Sequence, residues 1–207
     1  MKKLLYRIKV WFLTWFGNIR VSPYFPFLYY DDTKFAVSGS EIADIMEIAE
    51  PGDVLLRGYD SYLDSFFIKS SRKYSHAGIY VGNDRIIHAV APNVTSEHLI
   101  DFCGCDRVAV LRPRKGCRHA IATAKRFLKN NVPYDFNFTH GKESLYCFEL
   151  AAECYGKLEL HKKTATALFG LLKKREKVFL SDSFFESKDF TLVYEHNPRF
   201  GISGHRG

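Results

Sequence analysis

The feature that most constrains this chain is a strand–turn–strand pattern with a histidine on each strand. Residues 75–90 read SHAGIYVGNDRIIHAV. Apolar and β-branched residues flank the turn formers Gly82, Asn83 and Asp84, which is the pattern of a tight β-hairpin. His76 opens the first strand and His88 lies late in the second, so a hairpin brings them towards the same edge of a sheet. Two imidazoles at one edge indicate a chemical site.

The composition is that of a globular protein with one domain and extensions. The chain has 207 residues, of which 46% are apolar and 26% are charged, within the usual range of a single domain. The net charge of +7 favours anionic partners such as phospholipid, nucleic acid or wall polymers. The basic residues are scattered and match no nucleic-acid-binding motif, so we expect no nucleic-acid partner.

The five cysteines are odd in number and include no CxxC pair. Cys103 and Cys105 lack the second pair that a zinc finger needs. This pattern predicts a reduced, cytoplasmic protein in which one cysteine is reactive and the others are small buried apolar residues.

The first 20 residues have the pattern of an amphipathic helix whose apolar face is rich in Trp and Phe and whose charges are all basic. Arg7 and Lys9 interrupt the apolar run, which argues against a cleaved signal peptide and against a membrane span. Two interpretations stay open. The helix lies in a membrane interface, giving peripheral membrane association through residues 1–20, or it docks on the domain.

Composition and periodicity divide the chain into three parts. Residues 1–41 are the amphipathic helix and a proline-broken aromatic connector, 42–200 the compact domain and 201–207 a flexible tail. Besides the hairpin, periodicity predicts strands at 54–57, 108–111, 178–180 and 191–194. It predicts helices at 61–71, 117–129, 144–156 with Gly156 as C-cap, and 165–174, and one or two helical turns at 96–102.

Cys147 falls in the first turn of the predicted helix 144–156 and is the candidate nucleophile. At that position unpaired backbone N–H groups and the helix dipole stabilise a thiolate, which lowers the pKa of the thiol. The same N–H groups are credible oxyanion donors. The alternative is that Cys147 is a core residue, as most cysteines ahead of an apolar helix are.

Three motifs follow one another along the chain: Ser75-His76-Ala77-Gly78-Ile79, Pro133-Tyr134-Asp135-Phe136-Asn137-Phe138 and Tyr146-Cys147-Phe148-Glu149-Leu150. With framing strands at 51–56 and 106–112, this order resembles the circularly permuted papain-like cysteine hydrolases of the NlpC clan, specifically the YiiX-like amidase group. The resemblance covers residues 45–160. It implies an α+β fold of permuted papain-like (NlpC) type, with a small antiparallel sheet or partial barrel packed with helices.

The resemblance also implies roles for the site residues. Cys147 is the nucleophile, His76 the general base and His88 the residue that orients His76. Many YiiX-like members have glutamate in the third position, so His88 is similar instead to the Cys-His-His triad of the lecithin:retinol acyltransferase group. A neutral His88 accepts the ring N–H of His76 but stabilises an imidazolium less than a carboxylate does. Tyr134 and Tyr146 are implied at the oxyanion or substrate, with packing as an equal alternative for Tyr134.

These residues predict a thiol hydrolase or acyltransferase that acts on amide or ester bonds through a Cys147 thioester and needs no cofactor. The substrate is a lipid or a cell-wall peptide. The N-terminal helix, the aromatic content of 15% and the positive charge favour lipid. Hydrolysis or transfer, and the oligomeric state, stay open.

Two rival interpretations remain. The first is a catalytically weak lipid- or peptide-binding module that retains the fold, because His88 replaces a carboxylate and Phe148 stands where serine is usual. The second is a zinc site formed by His76, His88 and Cys147, since three N/S ligands plus water is a catalytic-zinc pattern.

Overall fold

The computed structural model describes residues 4, 8, 19–21, 28–30, 35–60, 74–136, 143–156, 158–169 and 172–196. Within them the strands are β1 (Ile19–Val21), β2 (Leu28–Tyr30), β3 (Val54–Gly58), β4 (His76–Tyr80), β5 (Arg85–Val90), β6 (Asn93–His98), β7 (Arg107–Pro113), β8 (Lys163–Phe169), β9 (Leu172–Val178) and β10 (Phe190–His196). The helices are α1 (Gly39–Ile48), α2 (Leu99–Phe102), α3 (Cys117–Lys129), α4 (Cys147–Cys154) and α5 (Ser181–Phe185).

A six-stranded antiparallel sheet with the order β10-β7-β3-β4-β5-β6 forms the centre of the fold. Its β4–β5 hairpin is the one that the sequence predicts. The turn places Gly82, Asn83 and Asp84 at φ angles of 86°, 51° and 53°, a left-handed region that these residue types tolerate best. The register puts Gly78 opposite His88. The predicted α+β architecture is therefore confirmed.

The two faces of the sheet have separate cores, because side chains alternate between the faces along each strand. One face packs against α3 and α4 through residues that include Ala77 and Ile87. The opposite face packs against α1 and α2 through residues that include Leu55 and Phe102. Each central strand thus contributes apolar side chains to both cores.

Two helices on the first face lie within segments that the sequence predicts to be helical. Helix α3 has the predicted bounds, 117–129. Helix α4 is shorter than predicted: Tyr146 is its N-cap and Cys147 its first residue, and it ends at Cys154 with Tyr155, not Gly156, at the C-cap. The position of Cys147 in the first turn is therefore confirmed.

The predicted helix 165–174 is wrong, because this segment forms the antiparallel β8–β9 hairpin. Apolar residues at helical spacing around 168–172 suggest a helix. However, β-branched threonines at 164 and 166 favour a strand, and Gly170 falls in the sequence between the two strands.

Three smaller predictions also differ from the structure. Strand β6 continues to His98 before the four-residue helix α2, so only 99–102 is helical. The strand predicted at 178–180 is the end of β9 followed by the start of α5 at Ser181. The N-terminal helix does not reach Arg20, because Ile19–Val21 pairs with Leu28–Tyr30 in a hairpin.

Other sequence predictions fall mainly outside the described residues. Of the N-terminal helix, Leu4 and Ile8 are described; both are helical and exposed. The predicted helix 61–71 and tail 201–207 are not described, and the domain boundaries stay predictions. None of the described helices is long and apolar enough to cross a membrane.

Candidate active site

The two histidines of the hairpin are in direct contact. His76 Nε2 lies 2.7 Å from His88 Nδ1, a hydrogen-bond distance in which the tautomers decide the donor. The rings meet edge to face, with centroids 4.9 Å apart at 83°. His88 is buried, at 2% exposure, and His76 is partly buried. The structure therefore brings the predicted base and its predicted orienting residue together.

Phe102 of α2 forms an aromatic wall beside both imidazoles. Its ring centroid lies 5.9 Å from that of His76 and 5.6 Å from that of His88. Gly78 makes this packing possible, since a Cβ there would approach Ile86 Cγ2 to 2.4 Å, Phe102 Cε2 to 3.1 Å and His88 Cβ to 3.3 Å. The imidazole pair consequently occupies the face of the sheet that packs against α2.

A carboxylate and a guanidinium lie next to His88, on the side of its ring away from His76. Glu97 Oε2 on β6 lies 3.3 Å from His88 Nε2 and 3.1 Å from Arg57 Nη1. The Arg57 guanidinium also sits 4.5 Å from the centre of the Phe102 ring, a cation–π distance. Neither Glu97 nor Arg57 is among the site residues predicted from the sequence. The sequence does not predict strand β6, and it is the register of β6 with β5 that places Glu97 on the same face of the sheet as His88.

Both imidazoles are held in the neutral form. Burial lowers the pKa of His76 well below its usual value, and the nearby charges of Arg57 and His88 lower it further. Burial, followed by the charge of Arg57, lowers the pKa of His88 to about 3. At neutral pH each ring therefore carries one proton, on one of its two nitrogens.

The Cys147 thiol lies against the backbone on both sides of His76. Its Sγ is 3.7 Å from the Ser75 carbonyl oxygen, and the backbone N–H groups of Ala77, Phe148 and Cys147 itself point at the sulfur. Two of these donors belong to the N-terminus of α4. They form the cluster of N–H groups that the sequence predicts around a nucleophile.

The predicted lowering of the thiol pKa is wrong for this resting structure. Cys147 is 4% exposed, and burial raises the pKa of its thiol to about 11 despite the three N–H groups and Arg57. Removing the thiolate from water outweighs the helix terminus. No hydrogen bond between the thiol and either imidazole is found in the part of the chain that the structure describes.

The two tyrosines implied at the oxyanion have packing partners. The Tyr146 hydroxyl accepts a hydrogen bond from the Phe179 N–H at 2.7 Å, and burial raises its pKa. The Tyr134 ring meets the Phe136 ring edge to face, with centroids 4.8 Å apart at 60°. Its backbone bridges in parallel to Leu145, two residues before Cys147, so the loop around Tyr134 positions the start of α4.

A buried carboxylate lies in the same turn as the thiol. Glu149 and Asp135 are 4% and 3% exposed. Burial, and then the charge of Asp135, raises the pKa of Glu149 to about 7.

The zinc alternative is not supported by the geometry. Across the described residues, which include His76, His88 and Cys147, no group of three or more His, Cys, Asp or Glu side chains is arranged to hold a metal ion. His76 and His88 instead direct ring nitrogens at each other.

Known proteins are similar to this chain in sequence and in fold. A family model described as permuted papain-like amidase enzyme, YaeF/YiiX, C92 family, matches residues 48–194, which is more than half of the chain. None of the curated proteins matches the sequence significantly.

Among solved structures, the crystal structure titled metalloprotein yiiX from Escherichia coli O157:H7 has a TM-score of 0.57 at 20% identity. The match covers 71% of this chain and 97% of that one. At this identity the likeness shows the fold alone. Together with the family match, it confirms the permuted papain-like fold and the YiiX-like resemblance. The chain belongs to the YaeF/YiiX family of permuted papain-like amidases.

Proposed function

We propose that this hydrolase acts through Cys147 as nucleophile and His76 as general base, with His88 orienting His76. The observation that carries the proposal is the contact of the thiol with the Ser75 carbonyl and the Ala77 N–H, which flank His76, while His76 itself is paired to His88 at 2.7 Å. These contacts support a site in which the nucleophile lies against the backbone that flanks the base, and the base is paired to its orienting group.

The reaction begins from a neutral thiol and a neutral imidazole, so we assign general-base catalysis rather than a preformed ion pair. His76 Nδ1 takes the proton of Cys147 as Sγ attacks the carbonyl carbon of an amide or ester. The N–H groups of Cys147 and Phe148 receive the negative oxygen. The imidazolium then protonates the leaving amine or alcohol, and the acyl group remains on sulfur as a thioester.

The second half of the reaction releases the thioester. His76 removes a proton from water, the hydroxide attacks the acyl carbon, and the Cys147 thiolate leaves and regains the proton from the imidazolium. An alcohol or amine in place of water would make the enzyme an acyltransferase. His76 must turn Nδ1 towards the sulfur in the substrate complex, as catalytic hydrogen bonds often tighten only there.

We propose a lipid acyl group as the substrate, ahead of a cell-wall peptide. Leu4 and Ile8 on the N-terminal segment are exposed, at 62% and 53%, and the chain has a net charge of +7 with 18 Phe and 12 Tyr. Exposed apolar side chains combined with basic charge attract a protein to an anionic bilayer. The expected location is the cytoplasm, with peripheral association at a membrane.

Mass spectrometry after incubation with a mixed lipid and peptidoglycan extract tests the function and the substrate together. We expect an acyl adduct on Cys147 whose mass identifies the substrate class, and no adduct in Cys147→Ala. A thiol-directed activity probe should label Cys147 in the unchanged protein and not in His76→Ala. Equal labelling of both proteins would contradict the role of His76.

A catalytically weak binding module is the second candidate, because the thiol is buried, has a raised pKa and makes no hydrogen bond to an imidazole of the described residues. This candidate predicts no selective labelling of Cys147 at any pH, together with retention of lipid or peptide by the Cys147→Ala variant. Lipid-vesicle flotation and peptide binding measured on that variant separate the two functions.

A further inference from the structure

The side chain of Glu97 lies next to the His88 ring nitrogen that does not face His76. Its Oε2 lies 3.3 Å from His88 Nε2, and His88 Nε2 is a buried atom without a well-aligned hydrogen bond among the described residues. An unpaired buried donor is costly. The carboxylate oxygen is within reach of it after a shift of a few tenths of an ångström.

The direction of the hydrogen bonds follows from the chemistry of the base. For His76 Nδ1 to accept the thiol proton, the His76 proton must sit on Nε2 and be donated to His88 Nδ1. A neutral His88 that accepts at Nδ1 carries its own proton on Nε2. That proton faces Glu97, and an ionised carboxylate only accepts. Glu97 therefore selects the one pair of tautomers in which His76 can act as base.

We propose that Glu97 is a positioning residue of the active site, which fixes the tautomers of His88 and His76 and supports the imidazolium that forms during catalysis. This inference rests on the proposed function. In many YiiX-like members a carboxylate occupies the third position of the triad, where this chain has His88. Here Glu97 supplies a carboxylate in the next, fourth position, in contact with His88. The order of groups becomes Cys147, His76, His88 and Glu97, drawn from α4, β4, β5 and β6.

Arg57 on β3 holds Glu97 in this place. Its Nη1 donates to Glu97 Oε2 at 3.1 Å and to the Phe102 carbonyl at 3.4 Å, and its side chain is 12% exposed against 27% for Glu97. Other titratable groups near this cluster include the buried Cys103 thiol after α2, whose pKa burial raises to about 12, and the buried Cys105 thiol, whose pKa burial also raises. The Tyr59 ring lies 6.0 Å from Arg57 Cζ. Arg57 also offsets part of the carboxylate charge, which keeps both imidazoles neutral before substrate binds.

Histidine ¹⁵N NMR tests the tautomers without any substrate. We expect both His76 and His88 to carry the proton on Nε2 in the unchanged protein, with signals assigned from His76→Ala and His88→Ala. In Glu97→Gln the amide can donate as well as accept, so the Nδ1-protonated forms should appear. Unchanged tautomers in folded Glu97→Gln would overturn the inference.

The kinetic test measures acylation of the protein by 4-nitrophenyl acetate against pH. Glu97→Gln should lower the rate at pH 7 by roughly ten- to a hundredfold, by analogy with the loss seen when the hydrogen-bond partner of a metal-binding histidine is removed. Loss of the negative charge favours neutral His76, so the acidic limb of the profile should move to lower pH. Glu97→Asp, which retains the charge, should restore part of the rate.

Glu41→Gln is the matched control, because Glu41 Oε1 pairs with His196 Nδ1 at 2.5 Å and is 14% exposed. This substitution should change the stability of the protein and leave the pH dependence of acylation unchanged. An unchanged rate and acidic limb in Glu97→Gln, with inactive Cys147→Ala and His76→Ala, would overturn the role of Glu97 alone. Wild-type acylation in Cys147→Ala would instead overturn the proposed function. If Glu97→Gln does not fold, the pH profile of acylation and the histidine tautomers of Glu97→Asp test the inference instead.

Discussion

Because Gly78 has no Cβ, the two imidazoles and Phe102 can pack together on one face of the sheet. Gly78 lies opposite His88 in the register, and a Cβ there would lie 2.4 Å from Ile86 Cγ2. Nothing in this contact depends on unusual backbone angles. The glycine of the Ser-His-Ala-Gly-Ile motif therefore has a packing role that bears directly on the site.

Replacing Gly78 with alanine should destabilise the protein by about 1–3 kcal/mol, the usual cost of overpacking a core. The displaced groups include His88, so acylation of Cys147 should fall as well. Urea denaturation and the 4-nitrophenyl acetate assay measure the two effects. Gly39→Ala is the control, since no heavy atom lies within 4 Å of a Cβ there. Equal stability of the two variants would contradict the packing role.

The residues of the candidate triad can be identified from the sequence, and the charged residues beside them cannot. His76, His88 and Cys147 stand in motifs, at a strand start, late in the paired strand and at a helix start. Glu97 and Arg57 have no motif. Their role depends on the pairing of β6 with β5 and of β3 with β4, which is a long-range property of the sheet.

Elements with strong periodicity and clear ends are the ones that the sequence predicts well. The 117–129 helix and the β4–β5 hairpin have both, and their predicted positions agree with α3 and with the observed strands. The β8–β9 hairpin has apolar residues that fit helical spacing as well as strand spacing, and only its pairing decides between them. Strand β6 is polar at every position except the buried Val94, so its formation likewise depends on pairing with β5.

Helix α4 is tied to α5 by an aromatic contact that serine could not make. Phe148 is 2% exposed, and its ring centroid lies 6.4 Å from that of Phe184. This residue is the departure from the serine usual in the YiiX-like group. The structure gives it a packing function next to the candidate nucleophile, Cys147.

Phe148→Ser should cost about 3–5 kcal/mol of stability, the range for removing a buried phenylalanine side chain, because it opens a cavity between α4 and α5. Chemical denaturation measures the loss. Phe35→Ser is the control, since Phe35 is 40% exposed and should cost less than about 1 kcal/mol. Similar losses in both variants would show that Phe148 does not anchor α4.

On the scale of the whole molecule, the sheet separates two kinds of buried titratable group. Neutral imidazoles and Phe102 lie on the α2 face, and the thiol of Cys147 and the carboxyl of Glu149 lie on the α4 side. Burial sets the direction of the pKa shift of each of these groups, away from its charged form.

This arrangement predicts a specific pH dependence of stability for His88. Its pKa is about 3 in the folded protein and near 6.5 in the unfolded chain. Between these values the unfolded chain binds the extra proton, so the contribution of His88 to stability is complete above pH 6.5 and is lost as the pH falls towards 3.

His88→Gln removes this titration and keeps a neutral hydrogen-bonding side chain in its place. Going from pH 7 to pH 4.5, the unchanged protein should lose roughly 2.5 kcal/mol more stability than His88→Gln, at about 1.4 kcal/mol per pH unit below pH 6.5. The other titrating groups are common to both proteins and largely cancel in the difference. Exposed His119→Gln is the control and should follow the unchanged protein. Parallel curves of unfolding free energy for the unchanged protein and His88→Gln would mean that His88 takes up a proton in the folded state, contrary to its burial against Phe102 and Arg57.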